Sequence, residues 1–425
     1  MSIVERLEMA MAITILNGNL MPRIRLIIFI CLGLWALLFL LNSFSLVNRN
    51  LINYYSIQYM PFINDTTIVV DKNGNVTTEI TYHQLTQYVQ LSSDKVQNFR
   101  IILFWTKYFD QDLMYQMKKS LNGDTENLLF RPKPCYYRYP NCLVTTNRDF
   151  IATAKVIIFH WRDFHYNDLP AQRNSNQLWT IYNLEAPPNT ALLPDRDDLI
   201  FNLTATYRHD SDIYVPYGQL IARNHDFDLE SNIDIRYKIK PVVWFVSNCH
   251  TQSHRENYVQ KLSRMVQVDI YGKCGKFQCP HSHECYQKAA REYLFYLSFE
   301  NSLCKDYVTE KLFNVLNYDI VPIVFGGANY SSILPAGSYI DATRMKPETL
   351  ARLIMKIASN RKLYLSYFEW RKKYSLDSES DMNSNLYCQL CKRLEQNVIN
   401  DKNTFQTSKE INHWYFDDAC RNPDI

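Results

Sequence analysis

Residues 293–327 hold the pattern that most narrows the fold: an apolar run, a polar turn, an amphipathic segment and a second apolar run. Tyr293–Phe299 is nearly continuous in apolar residues, as a parallel strand covered on both faces must be. The spacing predicts a helix over residues 306–317. Val308, Leu312 and Val315 fall at i, i+4 and i+7 on one face, Tyr307, Lys311 and Asn314 on the next, with Glu310 three residues from Tyr307. A second buried strand follows at 320–325 and ends in Gly326 and Gly327. In α/β proteins, a helix N-terminus beyond the carboxyl end of a parallel strand is where phosphates are held, and a lysine there adds a full charge. Spacing alone favours an ordinary βαβ unit with a solvated Glu310-Lys311 pair.

The alternation continues on both sides. Apolar runs at 100–105, 155–159 and 178–182 predict parallel strands of a first α/β domain. A polar, charged segment over 223–240 separates them from a second series: strand 242–246, helix 253–265, strand 268–271, the unit above, a strand at 339–340 and a helix over 347–358. That succession predicts a doubly wound sheet, and 425 residues suit two domains. A net charge of only +3 gives no footing for nucleic acid. The aromatic residues suit sugar rings, but packing accounts for them as well.

Residues 26–47 carry no charge and are mostly apolar, long enough to span a bilayer as a helix. Arg23 and Arg25 precede the segment and Arg49 follows it, which places the N-terminus in the cytosol and the bulk of the chain on the lumenal side. A cleaved signal peptide is the rival, disfavoured by the length and the lack of a small-residue cleavage site. Of 11 cysteines, Cys31 lies within this segment, leaving an even number beyond it. An oxidising lumen favours disulfides, although Cys388/Cys391 and the group Cys274, Cys279, His281, His283 and Cys285 also have zinc-ligand spacing. Sequons at Asn64, Asn75, Asn202 and Asn329 are candidates for N-glycosylation.

Phe299-Glu300-Asn301-Ser302, the stretch from Lys305 through Tyr307, Glu310 and Lys311, and Pro322-Ile323-Val324 resemble the donor-site signature of the α1,3/α1,4-fucosyltransferases. Residues 201–218 resemble a second signature of that family, and residues 271–275 and 184–189 match shorter ones in the expected order. The resemblance covers residues 100–391. It implies transfer of L-fucose from GDP-β-L-fucose to a hydroxyl, O3 of N-acetylglucosamine, on a glycoprotein or glycolipid glycan. It also implies the GT-B fold, two Rossmann-like domains facing across a cleft, behind an N-terminal transmembrane helix in the Golgi membrane. The expected divisions are a cytosolic tail (1–25), signal anchor (26–47), stem (48–98), acceptor-side domain (99–235), GDP-fucose-binding domain (236–400) and C-terminal tail (401–425). The family's late Cys-x-x-Cys pairs with two early cysteines, which here are Cys135 and Cys142, joined to Cys388 and Cys391 in some order.

Inverting transfer needs a base for the acceptor hydroxyl and positive charge for the departing diphosphate. Glu185 ends a strand pattern and precedes Ala186-Pro187-Pro188, whose fixed φ angles shape a rigid turn. By position it is a solvated loop glutamate; the resemblance makes it the base, with Ala186 replacing the usual serine. Arg255 and Lys311, each near the start of a helix after a strand, are assigned to the diphosphate, Glu310 to the ribose, and Asn301 and Tyr307 to donor contacts. His160 and Trp161 lie where the family selects its acceptor. No metal is assigned: Asp210/Asp212, Asp110/Asp112 and Asp226/Asp228 fit the short Asp-x-Asp pattern, but two cations already serve the diphosphate, so manganese is at most a stimulator. A manganese-dependent GT-A transferase and an inactive glycan-binding protein of the same fold are the alternatives.

Overall fold

The computed structural model describes residues 99–113, 128–130, 132, 135–224, 227–229, 233–279, 283–377, 382–396 and 406–423, with short strand segments at 69–70, 76–77 and 88–90. The expected anchor at 26–47, the sequons Asn64 and Asn75, and His281 lie outside the described residues. Among the described residues, no helix is long and apolar enough to cross a membrane.

The first sheet contains β1 (Tyr88–Gln90), β2 (Arg100–Phe104), β3 (Leu128–Phe130), β4 (Cys142–Thr145), β5 (Ala154–His160), β6 (Leu178–Asn183), β7 (Leu203–Thr206) and β8 (Ile213–Tyr214). Its order is β8-β7-β6-β5-β2-β4-β3-β1. The strands from β8 to β4 are parallel, and β3 and β1 close one edge antiparallel. Residues 88–90, assigned above to the stem, therefore belong to the sheet. Residues 101–104 and 156–159 are fully buried, which explains why these strands read as unbroken apolar runs.

The second sheet is all parallel: β9 (Lys240–Phe245), β10 (Val268–Tyr271), β11 (Tyr293–Phe299), β12 (Val321–Phe325) and β13 (Ile340–Asp341), ordered β10-β9-β11-β12-β13. From β2 in the first sheet and β9 in the second, the chain adds strands on one side (β3 and β4; β10) and then crosses back to build the other. Strand order reverses between β2 and β5 in one and between β9 and β11 in the other, and a crevice for ligands opens beyond the carboxyl ends at such points.

Helices α1 (Arg255–Leu262), α2 (His283–Glu292), α3 (Glu310–Leu316), α4 (Pro347–Ala358) and α5 (Arg361–Ser366) accompany the second sheet. The helix expected from residue 306 begins four residues later. Asp306 sits at φ 60, and Thr309 is the N-cap, its hydroxyl accepting from the Lys311 amide. Tyr307 and Val308 are thus buried loop residues rather than helix faces.

The chain then returns to the first sheet. Leu386, Tyr387, Leu390 and Leu394 of α6 (Met382–Glu395) and Ile411 and Tyr415 of α7 (Ser408–Phe416) complete its core. Cys135–Cys388 and Cys142–Cys391 disulfides and a 2.9 Å Arg100–Glu395 ion pair fasten α6 there. A boundary at 400 therefore misplaces this helix: its apolar side is needed by the first core. The remaining pairs are Cys249–Cys274, Cys279–Cys285 and Cys304–Cys420, so the sulfurs with zinc spacing are consumed in disulfides.

Candidate active site

The reversal point of the second sheet gathers Arg255, Glu300, Asn301, Tyr307, Glu310 and Lys311. Arg255 opens α1 and is buried. Its Nη1 donates to the Phe299 carbonyl and its Nη2 to the Asn248 carbonyl at 3.2 Å, while Trp244 lies 5.5 Å away on its face. Its buried Nε–H has no partner among the described residues, and neither does the Asn301 Oδ1. Buried polar atoms left unpaired are costly, so two such atoms at a crevice point to groups that a ligand completes.

Glu300, immediately after β11, is fully buried. Its carboxylate accepts from the Thr309 amide at 2.8 Å and from the Thr309 hydroxyl, and pairs with Lys311 Nζ at 3.4 Å. Lys311 Nζ also reaches Thr309 Oγ1 at 2.8 Å and Glu310 Oε1 at 3.0 Å. Burial pulls the ammonium pKa down, but Glu300 and Glu310 outweigh it and hold Lys311 above its ordinary value. Glu310 is half-exposed on the crevice wall. Burial raises its pKa and Lys311 more than reverses that, leaving it below normal. The role of Glu300 was missed in the sequence, where its signal was an acid directly after a continuous apolar strand. The rings of Tyr207 and Tyr217 pack edge-on against Tyr307, at 5.0 and 6.4 Å.

On the first sheet, Glu185 lies just past β6 and is half-buried. Its backbone is fixed from several sides: its amide donates to Asn183 Oδ1 at 3.1 Å, its carbonyl accepts from the Tyr415 hydroxyl, and the Tyr217 hydroxyl donates to the preceding Leu184 carbonyl at 2.6 Å. Burial raises the carboxyl pKa. Lys311 opposes this, Glu310 reinforces it, and Arg162 and a hydrogen bond from Asn189 oppose it again. Two of those influences, Lys311 and Glu310, come from α3, so the first-sheet carboxylate lies within electrostatic reach of the donor edge of the second. Ala186, fully buried, leaves side-chain contact with Glu185 to Asn189 at the end of the Pro-Pro turn.

The two edges are locked together. Asp210 takes Arg208 at 2.7 Å and Lys305 at 2.9 Å, and Asp306 takes the His209 amide at 3.2 Å. Gly218 lets the chain pass against α3, where a Cβ would stand 2.5 Å from the Phe313 ring. Asp212 accepts from Thr204 at 2.8 Å. This Asp-x-Asp is therefore spent on hydrogen bonds and ion pairs, and the described residues contain no group of three metal-ligating side chains.

Three assignments need correction. Trp161 is buried between Tyr415 and Phe416, with its indole N–H on the Ala191 carbonyl at 2.8 Å, so it offers an acceptor neither face nor donor. His160 is equally buried and its Nδ1 lies 2.5 Å from Asp163, whose carboxylate also caps the Phe109 and Asp110 amides. Burial lowers the His160 pKa against the pull of Asp163. The exposed member of this segment is Arg162, over the Phe109 ring at 4.9 Å and within electrostatic reach of Glu185. The sequon Asn202 is buried as well, its Oδ1 accepting from the Trp179 amide at 2.8 Å and from Arg173, which leaves no room for a glycan. Asn329 is exposed.

A half-buried carboxylate at the end of one largely parallel sheet, and an arginine and a lysine at the reversal point of the other, are groups suited to transfer chemistry. Residues 97–218 match the family model "Fucosyltransferase, N-terminal" and residues 235–414 match "Glycosyltransferase family 10 (fucosyltransferase) C-term". Alpha-(1,3)-fucosyltransferase C of Drosophila melanogaster is 34% identical over 80% of this chain and 86% of its own length. The bovine 3-galactosyl-N-acetylglucosaminide 4-alpha-L-fucosyltransferase FUT3 is 35% identical over 74% and 81%. A crystal structure of an alpha1,3-fucosyltransferase with GDP-fucose aligns over 72% of this chain and 91% of its own at 13% identity, with a TM-score of 0.45. The chain belongs to glycosyltransferase family 10, the fucosyltransferases.

Proposed function

We propose that the protein is an inverting α1,3-fucosyltransferase of the GT-B type, taking GDP-β-L-fucose as donor and O3 of an N-acetylglucosamine in a glycoprotein or glycolipid glycan as acceptor. The observation that carries this is the grouping of Arg255 and Lys311 at the reversal point of the second sheet, with Glu185 of the first sheet within electrostatic reach of Lys311. The acceptor O–H attacks the fucose anomeric carbon as the bond to the diphosphate oxygen breaks. Glu185 takes the hydroxyl proton, and Arg255 and Lys311 stabilise the charge that collects on GDP. Glu310 is assigned to the ribose hydroxyls, and Asn301 and Tyr307 to the donor sugar and diphosphate. The names of the relatives supply the donor sugar and linkage class; the acceptor follows from the same resemblance. Five disulfides suit an oxidising lumen. They fit a type II Golgi membrane protein anchored by residues 26–47 and glycosylated at Asn329.

Full-chain protein incubated with GDP-fucose and a panel of defined N-glycan and lactosamine acceptors, with products read by NMR, tests this. The expected product is an α-fucoside on O3 of N-acetylglucosamine. A β-fucoside would exclude inversion, and no transfer to any acceptor would overturn the assignment.

A further inference from the structure

The chain's last described residues form a strap across the donor edge of the second sheet. Cys420 is joined to Cys304, the Lys305 amide donates to the Ala419 carbonyl at 2.7 Å, and the Arg421 amide donates to the Leu303 carbonyl at 3.0 Å. The Arg421 carbonyl accepts from Gln252 Nε2 at 2.8 Å, and Gln252 in turn accepts the Leu303 amide at 2.9 Å. Beyond it, Asn422 and Pro423 line a groove with His254 and Asn257 at the start of α1. The strap thus runs from the loop after β11 to the N-terminus of α1, over the point where strand order reverses. It lies past residue 414, where the match to the family model stops.

Charge at this edge gives the strap a purpose. Lys311 is matched by Glu300 and Glu310, and two N–H groups of Arg255 are tied to backbone carbonyls. Two cations stand against two carboxylates, so little net positive charge is left for a diphosphate. Arg421 is exposed, forms no ion pair among the described residues, and extends its guanidinium to the Gly326 carbonyl at the end of β12, 3.4 Å away. Gly326 adjoins Glu300: a Cβ built there lies 3.4 Å from the Glu300 Cγ.

We propose that Arg421, held in place by the Cys304–Cys420 disulfide and the paired strap, is a donor-binding residue that supplies the uncompensated positive charge for the nucleotide diphosphate. This rests on the donor-site reading above. A single charge-assisted contact to phosphate corresponds to a change of about 10- to 100-fold in affinity.

The test measures binding of GDP and of guanosine to full-chain wild type, Arg421→Gln, Arg421→Lys and Lys311→Ala by calorimetry, with melting temperatures recorded. Arg421→Gln removes the charge and, being shorter, also gives up the 3.4 Å contact to the Gly326 carbonyl. It should weaken GDP about 10- to 100-fold, leave guanosine within about twofold and leave the melting temperature unchanged, while Arg421→Lys recovers most of the loss. Wild-type GDP affinity in Arg421→Gln, or an equal loss for guanosine and GDP, overturns the proposal. Lys311→Ala separates it from the underlying reading. If Lys311→Ala weakens GDP while Arg421→Gln does not, the donor site stands and the strap is structural. If Lys311→Ala leaves GDP binding intact, the donor site itself is misplaced.

Discussion

Glu300 governs the donor edge without standing where a ligand is expected to reach it. Fully buried, it fixes the first turn of α3 through Thr309 and balances Lys311. Glu300→Gln keeps the shape but leaves Lys311 with only Glu310. Breaking a buried ion pair typically costs 3–5 kcal/mol, and Lys311 retains some exposure, so about 3 kcal/mol is expected in chemical denaturation. An unchanged midpoint would mean that the pair contributes little. As the proposed base, Glu185 should set the pH dependence. Its carboxyl is raised chiefly by burial, and only the ionised form accepts a proton, so transfer should fall as pH drops through a value above the ordinary carboxylate range. Lys311, raised in turn, stays protonated through neutral and mildly alkaline pH. A rate profile whose acid limb sits at or below the ordinary glutamate value would contradict the burial of Glu185. The chain showed both residues, but position alone read Glu185 as a loop glutamate, and only the buried turn around Ala186 makes its environment apolar.

Among the elements, strands were the most legible because parallel strands covered on both faces must be continuously apolar: the strand over residues 293–299 came out with the bounds read from spacing, and so did the helix over 347–358. The start of α3 was not legible. Val308 extends the apolar period backward, yet Thr309 interrupts it by capping, and its amide belongs to Glu300. Thr309→Ala should lower stability by about 1–2 kcal/mol and weaken GDP binding with it, while Thr309→Ser should restore both. Loss of stability with unaltered GDP affinity would show that the α3 start is not part of the donor site. Trp161 and Asn202 were misread for one reason: a local pattern does not reveal which side of a sheet end is covered by a distant element, here α7 for Trp161 and Arg173 with β6 for Asn202.

At the scale of the whole molecule, the return of α6 and α7 to the first sheet is what sequence periodicity could not supply, since their contacts lie far away in the chain. Only the resemblance of the late cysteines to the family's pattern hinted at it. Cys135–Cys388 and Cys142–Cys391 close nearly the same loop, 253 and 249 residues apart in sequence. Their chain-entropy effects are therefore largely shared. Replacing either pair by serines should cost little, while replacing both should cost up to about 5 kcal/mol. Denaturation midpoints in which the two single losses add up to the double loss would refute the shared-loop account. The larger claim is that the two sheets, so joined, form one site with its base on one wall and its donor cations on the other. Single-turnover transfer by full-chain Glu185→Gln, measured beside its GDP affinity, tests that most directly. The rate should drop by about 10²–10⁴-fold with GDP binding near wild type. Wild-type turnover in the folded variant, or loss of GDP binding along with the rate, would contradict it.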